Sequence, residues 1–143
     1  MEIIFGDYKF SDNKDLILLD NVCKLLDKTY WANNRKMEIN KKAIENSICI
    51  GIYKNNEIIG FSRIVTDYAT MYWLADVIID ENHRKNALGK KLIEIITQMK
   101  ELDGLFGILA TKDAHGLYEK YGFYKVGEKY MRKDTQNQKP NYL

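Results

Sequence analysis

The sequence is poor in the residues that build disulfide frameworks and metal sites. It has 2 cysteines and 2 histidines in 143 residues, and these four lie scattered, without the spacing of a metal site. Cys23 and Cys49 each fall in an apolar segment, so we expect two core thiols and no disulfide bond. No metal ion is predicted.

Long apolar runs and an excess of one charge are also missing. No stretch is long and apolar enough to span a bilayer, and the N-terminus does not have the pattern of a signal peptide. The net charge is only +2, which gives no argument for a nucleic acid or a membrane as a partner. We therefore expect a cytoplasmic protein with neither partner. Residues 1–143 are predicted to form a single domain with a polar, mobile tail at 133–143.

Hydrophobic spacing in the first half predicts a mixture of helices and strands. A strand is expected within 1–10, and apolar residues at helical spacing then predict a helix that runs from about Asp12 to Tyr30. After a loop at 31–40 and a short helix, three antiparallel strands are expected. These strands are placed at 48–53, 57–65 and about 70–79, with Asn55–Asn56 as the first turn. The third strand is almost wholly apolar and is predicted to be covered on both faces.

The second half predicts helices that connect strands, which makes part of the sheet parallel. Its elements are a helix at 87–102, a strand at 105–110, a helix from Asp113 to Gly122 and a strand at 123–131. The predicted fold class is therefore α/β, with a mixed, partly antiparallel central sheet flanked by helices.

A basic loop between the third strand and the next helix is a candidate anion site. The first backbone N–H groups of a helix have no partners within the helix and carry partial positive charge. A pyrophosphate can bind to such groups. The alternative is a plain connection with a solvated basic face.

Two motifs resemble those of the GNAT superfamily of acetyl-CoA-dependent N-acetyltransferases. The first is the loop Arg84-Lys85-Asn86-Ala87-Leu88-Gly89, and the second is the run Tyr118-Glu119-Lys120-Tyr121-Gly122-Phe123. The resemblance extends from about residue 47 to residue 131. It implies a GNAT-like fold, acetyl-CoA as co-substrate, and direct acetyl transfer to a primary amine without an acetyl-enzyme. The acceptor is expected to be a small molecule. The alternatives are a protein or peptide amine, or a non-catalytic acyl-CoA sensor. A homodimer is compatible with the family.

The loop departs from the family pattern, which usually has glycine at the position of Ala87 and often at that of Lys85. Alanine disfavours positive φ. We expect the loop to stay competent because alanine is small, with coenzyme affinity as the property at stake. The resemblance implies these coenzyme-binding residues: Val77, Ile78, Ile79, Arg84, Lys85, Asn86, Ala87, Leu88, Gly89, Lys90 and Tyr121.

Three residues are candidates for catalysis. Tyr118 matches the family position that protonates the departing thiolate, and its alternative is a packed aromatic side chain. His115 could accept the proton of the amine, or be an exposed helix residue. Asp76 interrupts an apolar strand, so it must be paired, hydrogen-bonded or at a strand irregularity. It could act as a base or bind the amine, or be a structural carboxylate.

Four residues are candidates for the acceptor site: Tyr30, Trp31, Arg35 and Arg63. The Tyr-Trp pair at a helix end suits a lid, or equally a hydrophobic plug. Arg63 could bind a substrate carboxylate, or pair with Asp67 on the same hairpin.

Overall fold

A mixed six-stranded sheet forms the centre of the protein. The computed structural model describes residues 1–135, and the chain divides into two compact units, Met1–Ala110 and a second that begins at Thr111. The strands are β1 Glu2–Phe5, β2 Tyr8–Ser11, β3 Ile48–Lys54, β4 Glu57–Thr66, β5 Met71–Ile79 and β6 Phe106–Leu109. They lie in sequence order, antiparallel up to β5, and β6 pairs with β5 in parallel. The predicted α/β class and mixed sheet are confirmed.

Residues 1–135 contain four α-helices. They are α1 Leu19–Leu26, α2 Met37–Glu45, α3 Leu88–Thr97 and α4 His115–Glu119, and α4 lies in the second unit. Short 3-10 turns occupy Lys14–Leu16, Glu81–His83 and Lys100–Leu102. Within residues 1–135, none of the helices has the length and apolar character needed to cross a membrane.

Strands β3 and β4 are buried on both faces over most of their length. On one face, Phe61 and Ile78 pack with Val22 and Leu26 of α1 in a single cluster. Side chains of a strand alternate between faces, so Ile50 of β3, which is fully buried, lies on the opposite face. Helix α3 connects β5 to β6 and buries an apolar stripe of its own. Both cysteines are buried and free, as expected.

The N-terminal predictions needed correction at their boundaries. Residues 1–10 hold two strands, because Gly6 adopts a φ of +61° and turns the chain back on itself. Helix α1 ends at Leu26, so Tyr30 lies beyond it. Helix α2 begins at Met37, which shortens the predicted loop. The Asn55–Asn56 turn is confirmed, with φ values of +50° and +66°.

Two predictions about strands were wrong. Only one face of β5 is consistently buried, and Trp73 is 38% exposed, because the cluster under α1 and α2 reaches Ile78 but not Trp73. Residues 123–131 form no strand. Most of their side chains are exposed, and Glu128 takes a left-handed φ of +63° that interrupts an extended chain. Of the predicted mobile tail, residues 136–143 lie outside the described residues.

Candidate active site

A β-bulge in β5 places Asp76 where an apolar side chain would be expected. The register with β4 pairs Phe61 with Ile78 and Arg63 with Ala75, so β5 has one extra residue between these pairs. Asp76 lies in this bulge with a φ of +53°. Bulges re-aim side chains and recur beside functional sites. The predicted strand irregularity at Asp76 is therefore present.

Asp76 accepts hydrogen bonds from three side chains. Arg35 binds it with two nitrogens, with Nη1 at 2.8 Å from Oδ2 and Nη2 at 3.2 Å from Oδ1. Arg63 Nε donates to Oδ2 at 2.8 Å, and Trp31 Nε1 donates to Oδ1 at 3.0 Å. We call these four residues the Asp76 cluster. It joins β4, β5 and the segment between α1 and α2.

Two further polar residues hold the arginines in place. Arg35 Nη1 also donates to Asn40 Oδ1, and Arg63 Nη1 donates to Ser47 Oγ, both at 3.3 Å. Asn40 and Ser47 are themselves buried. Neither residue was predicted from the sequence, although a polar residue such as Asn40 at a buried position of α2 needs a hydrogen-bond partner, as Asp76 does.

The charge state of Asp76 follows from these contacts. Burial raises the pKa of its carboxyl, but the hydrogen bonds and charges of Arg35 and Arg63 outweigh burial and lower the pKa overall. An ionised carboxylate with both oxygens occupied is a weak proton acceptor. Of the roles considered for Asp76, its geometry favours the structural carboxylate.

Arg63 does not form the alternative pair with Asp67. The Asp67 carboxylate instead accepts bonds from the backbone and hydroxyl of Thr70, at 2.8 and 2.6 Å, within its own turn. A side chain committed to closing a turn is unavailable to a strand residue. Asp76, across the strand pair, takes the guanidinium.

One edge of β5 is open beside the bulge. Pairing with β6 ends at Leu74 and Leu109, and within residues 1–135 no strand pairs with the later part of β5 on that side. The N–H of Asp80 donates to the Ile59 carbonyl of β4 at 2.8 Å. Successive N–H groups alternate between strand edges, so the N–H of Ile79 points to the open edge, as does that of Val77. The N–H of Ile78 points to β4.

Two residues of the loop between β5 and α3 adopt the positive φ that is typical of glycine, although neither is a glycine. Lys85 has a φ of +68°, and Ala87 has φ +59° and ψ +20° immediately before α3. Alanine disfavours this conformation, yet Ala87 adopts it at the entry to the helix. A left-handed conformation costs a non-glycine residue about 1–2 kcal/mol.

Several amides face outward at the start of α3. The first bond of the helix runs from the Lys91 N–H to the Ala87 carbonyl at 3.0 Å. The N–H groups of Leu88, Gly89 and Lys90 therefore have no carbonyl one turn earlier in the helix. They remain available to an anion, with the helix dipole behind them.

Side chains of the loop mainly support its own backbone. Arg84 Nε donates to the Ile79 carbonyl at 3.2 Å, and Asn86 Nδ2 donates to the His83 carbonyl at 2.9 Å. Lys85 and Lys90 are exposed. Val77 and Ile79 lie in β5 directly before the loop, and the Arg84 side chain ties the loop to the last residue of that strand.

The Tyr30–Trp31 pair has features of both a lid and a plug. The two rings meet edge to face, with centroids 4.9 Å apart. Trp31 packs against the α1 cluster and bonds to Asp76, which are contacts of a plug. Tyr30 is 44% exposed and is the half of the pair that can contact an acceptor.

The second motif lies in the second unit. Tyr118 is buried in α4, and its ring meets Phe123 edge to face at 5.9 Å. The chain folds back there because Gly122 takes a φ of +90°. His115, the first residue of α4, and Tyr121 are each half-buried.

Most of the chain matches one protein family. The model of the family described as Acetyltransferase (GNAT) family matches residues 19–123. The chain belongs to this family.

The GNAT chain also resembles individual proteins. It is 26% identical over 113 residues to a presumed acetyltransferase from Gibberella zeae, a match that covers 65% of this chain and 64% of that protein. The chain thus spans less than two thirds of that relative. A crystal structure of a presumed acetyltransferase of the GNAT family from Xanthomonas campestris pv. campestris has a TM-score of 0.86 and 29% identity, and covers 92% of this chain and 96% of its own. The crystal structure of an aminoglycoside 6′-acetyltransferase type Ii has the same fold, with a TM-score of 0.68 and 23% identity. The match covers 82% of this chain and 84% of that one.

Replacing Ala87 with glycine tests the strained loop. Ala87→Gly is expected to raise the free energy of unfolding by up to about 1 kcal/mol, because glycine adopts positive φ at no steric cost. The control Ala43→Gly, within α2, should lower it by about 1 kcal/mol. Denaturant unfolding measures both, and a loss of stability in Ala87→Gly would contradict the left-handed conformation.

Acid unfolding tests the charge of Asp76. Its pKa is lower in the folded protein than the unfolded value of about 3.9, so the carboxylate stabilises the fold above about pH 4, and this contribution is lost as the pH falls through the folded pKa. Asp76→Asn is expected to lower the free energy of unfolding by about 3 kcal/mol at pH 7 and by progressively less as the pH falls below about 4. Asp103→Asn, at an exposed position, serves as the control. A loss of unfolding free energy in Asp76→Asn that does not change with pH would contradict the ionised state of Asp76.

Proposed function

We propose that the protein is an acetyl-CoA-dependent N-acetyltransferase that acts on the primary amine of a small molecule. The observation that carries the proposal is the open edge of β5, which leads directly into a loop and helix with outward-facing amides. Family membership supplies the chemistry that this arrangement supports.

The coenzyme is proposed to bind along this surface. The pyrophosphate lies against the amides of Leu88, Gly89 and Lys90, where helix N-terminal donors favour an anion. Lys85 and the Lys90 side chain add positive charge near the phosphates. The thioester then lies along the open edge of β5, within reach of the Ile79 and Val77 N–H groups.

The reaction is proposed to proceed by direct transfer in a ternary complex. The neutral amine nitrogen attacks the thioester carbonyl and forms a C–N bond, and the developing oxyanion is stabilised by backbone N–H groups of β5. The C–S bond then breaks, and the coenzyme leaves as a thiolate that takes a proton from the Tyr118 hydroxyl. The amine loses a proton to a base, for which His115 stays a candidate, directly or through water.

Cysteine chemistry does not support an acetyl-enzyme route. Burial raises the pKa of the Cys49 thiol to about 11, although the charges of Lys14 and Arg63 act in the opposite direction. A thiol of this kind is largely protonated at neutral pH and is a poor nucleophile. Cys23 is buried on α1, so its thiol is not exposed to a substrate bound at the open edge of β5.

An amine panel tests the activity. The purified protein is incubated with acetyl-CoA and single amines, and the release of free thiol and of the acetylated amine is measured together. At least one small primary amine should give equal amounts of both products. Calorimetric binding of acetyl-CoA without turnover on any amine would indicate a sensor, and turnover on peptide amines alone would indicate a protein acetyltransferase.

Tyr118→Phe tests the proposed acid. The variant keeps the ring that packs on Phe123 and removes only the hydroxyl, so kcat is expected to fall about 100-fold while acetyl-CoA affinity changes little. Tyr124→Phe, which alters a tyrosine that is 79% exposed, is the matched control and should keep the wild-type kcat. An unchanged kcat in Tyr118→Phe would remove this residue from the mechanism.

A further inference from the structure

The Asp76 cluster contains more positive than negative charge. Arg35 and Arg63 both pair with the single carboxylate of Asp76, at 2.8 Å each. Trp31, the fourth member of the cluster, is neutral, and so are Asn40 and Ser47, which accept hydrogen bonds from the arginines. The cluster therefore has a net charge of +1 in a place that water reaches only in part. Burying an unbalanced charge is costly, and an incoming anion would relieve that cost.

Both guanidinium groups have N–H donors that the fold does not use. Arg35 Nε and Arg63 Nη2 donate to no residue of the described chain, whereas the other four guanidinium nitrogens donate to Asp76, Asn40 and Ser47. The side chains of Arg35 and Arg63 are 23% and 16% exposed, while that of Asp76 is only 2% exposed. The carboxylate is thus the most buried of the three charged groups, and the two arginines that it orients are the ones that water partly reaches.

The cluster lies close to the proposed position of the thioester. Asp76 directly precedes Val77 in the chain. Ile79 lies three residues after Asp76, which is about 10 Å along an extended strand. A molecule that contacts the arginines can therefore present a second group to the open edge of β5 if only a few bonds separate its two ends.

We propose that the acceptor amine carries an anionic oxygen group, a carboxylate or a phosphate, which binds to the outward donors of Arg35 and Arg63. This inference rests on the proposed function, because it names the class of acceptor for that reaction. Guanidinium groups bind both kinds of anion with charge-assisted hydrogen bonds, frequently through two donors. The same positive charge disfavours a polycationic acceptor such as an aminoglycoside, the substrate class named for one structural neighbour.

Matched pairs of amines test the proposal. The members of each pair share one primary amine, and only one of them carries an anionic oxygen group. One pair is an amino acid with its carboxamide, and another is an aminoalkyl phosphate with its amino alcohol. The wild-type protein should give a kcat/KM at least tenfold higher for the anionic member of one pair. The pair that shows the preference identifies whether the arginines bind a carboxylate or a phosphate.

Variants at Arg35 connect this preference to the cluster. Arg35→Gln leaves Asp76 paired with Arg63 alone and should reduce the anionic preference about tenfold, mainly through a higher KM for the anionic amine. Arg35→Lys, which keeps the charge but not the paired donors, should give an intermediate ratio and guards against a glutamine variant that fails to fold. Lys36→Gln removes an exposed charge from the next residue and should keep the wild-type ratio.

The outcomes separate this proposal from the activity itself. Equal kcat/KM for anionic and neutral partners, or the same loss for both in Arg35→Gln, would overturn the proposal while leaving the acetyltransferase activity standing. If no amine is acetylated, calorimetry with the anionic amines alone decides. Binding of the anionic member that weakens in Arg35→Gln supports the anion site, and no discrimination between the members rejects it.

Discussion

The ion pairs of Asp76 with Arg35 and Arg63 are the interactions on which the candidate site depends. They join the segment between α1 and α2 to a bulge in the central strand β5, and they satisfy a carboxylate that would otherwise be unsupported at 2% exposure. The bulge interrupts the regular ladder just before the part of β5 that β6 leaves unpaired. Asp76 therefore orients the arginines. It also lies directly before the backbone N–H groups of β5 that are proposed to contact the thioester.

The loop that follows β5 shows a related use of unfavourable local geometry. Lys85 and Ala87 adopt left-handed backbone conformations, which residues other than glycine generally avoid. Their cost is small beside the burial of the α3 stripe that the loop positions. Leu88, immediately after Ala87, is 2% exposed and fixes the start of the helix. The amides of the first turn are thereby held in place before any anion arrives, which lowers the entropic cost of binding.

Much of the fold could be predicted from local sequence, because apolar spacing and turn residues act over a few positions. The Asn55–Asn56 hairpin and the buried stripe of α3 are examples. The partners of Asp76 could not be predicted, because Arg35 lies 41 residues away and the register shift that directs the carboxylate to it comes from strand pairing. The chemistry required a partner for Asp76, but only the tertiary structure identifies it. Likewise, the sequence places Ala87 before a helix, while the positive φ results from the path that the chain must take.

The central claim is that the open edge of β5 and the start of α3 together hold the coenzyme. Residue-resolved amide hydrogen exchange with and without acetyl-CoA tests this claim most directly. Binding should slow exchange at Ile79, Leu88, Gly89 and Lys90, and it should leave Ile78, whose N–H points to β4, nearly unchanged. Saturating acetyl-CoA that protects none of the four amides, or that protects Ile78 in place of Ile79, would contradict it.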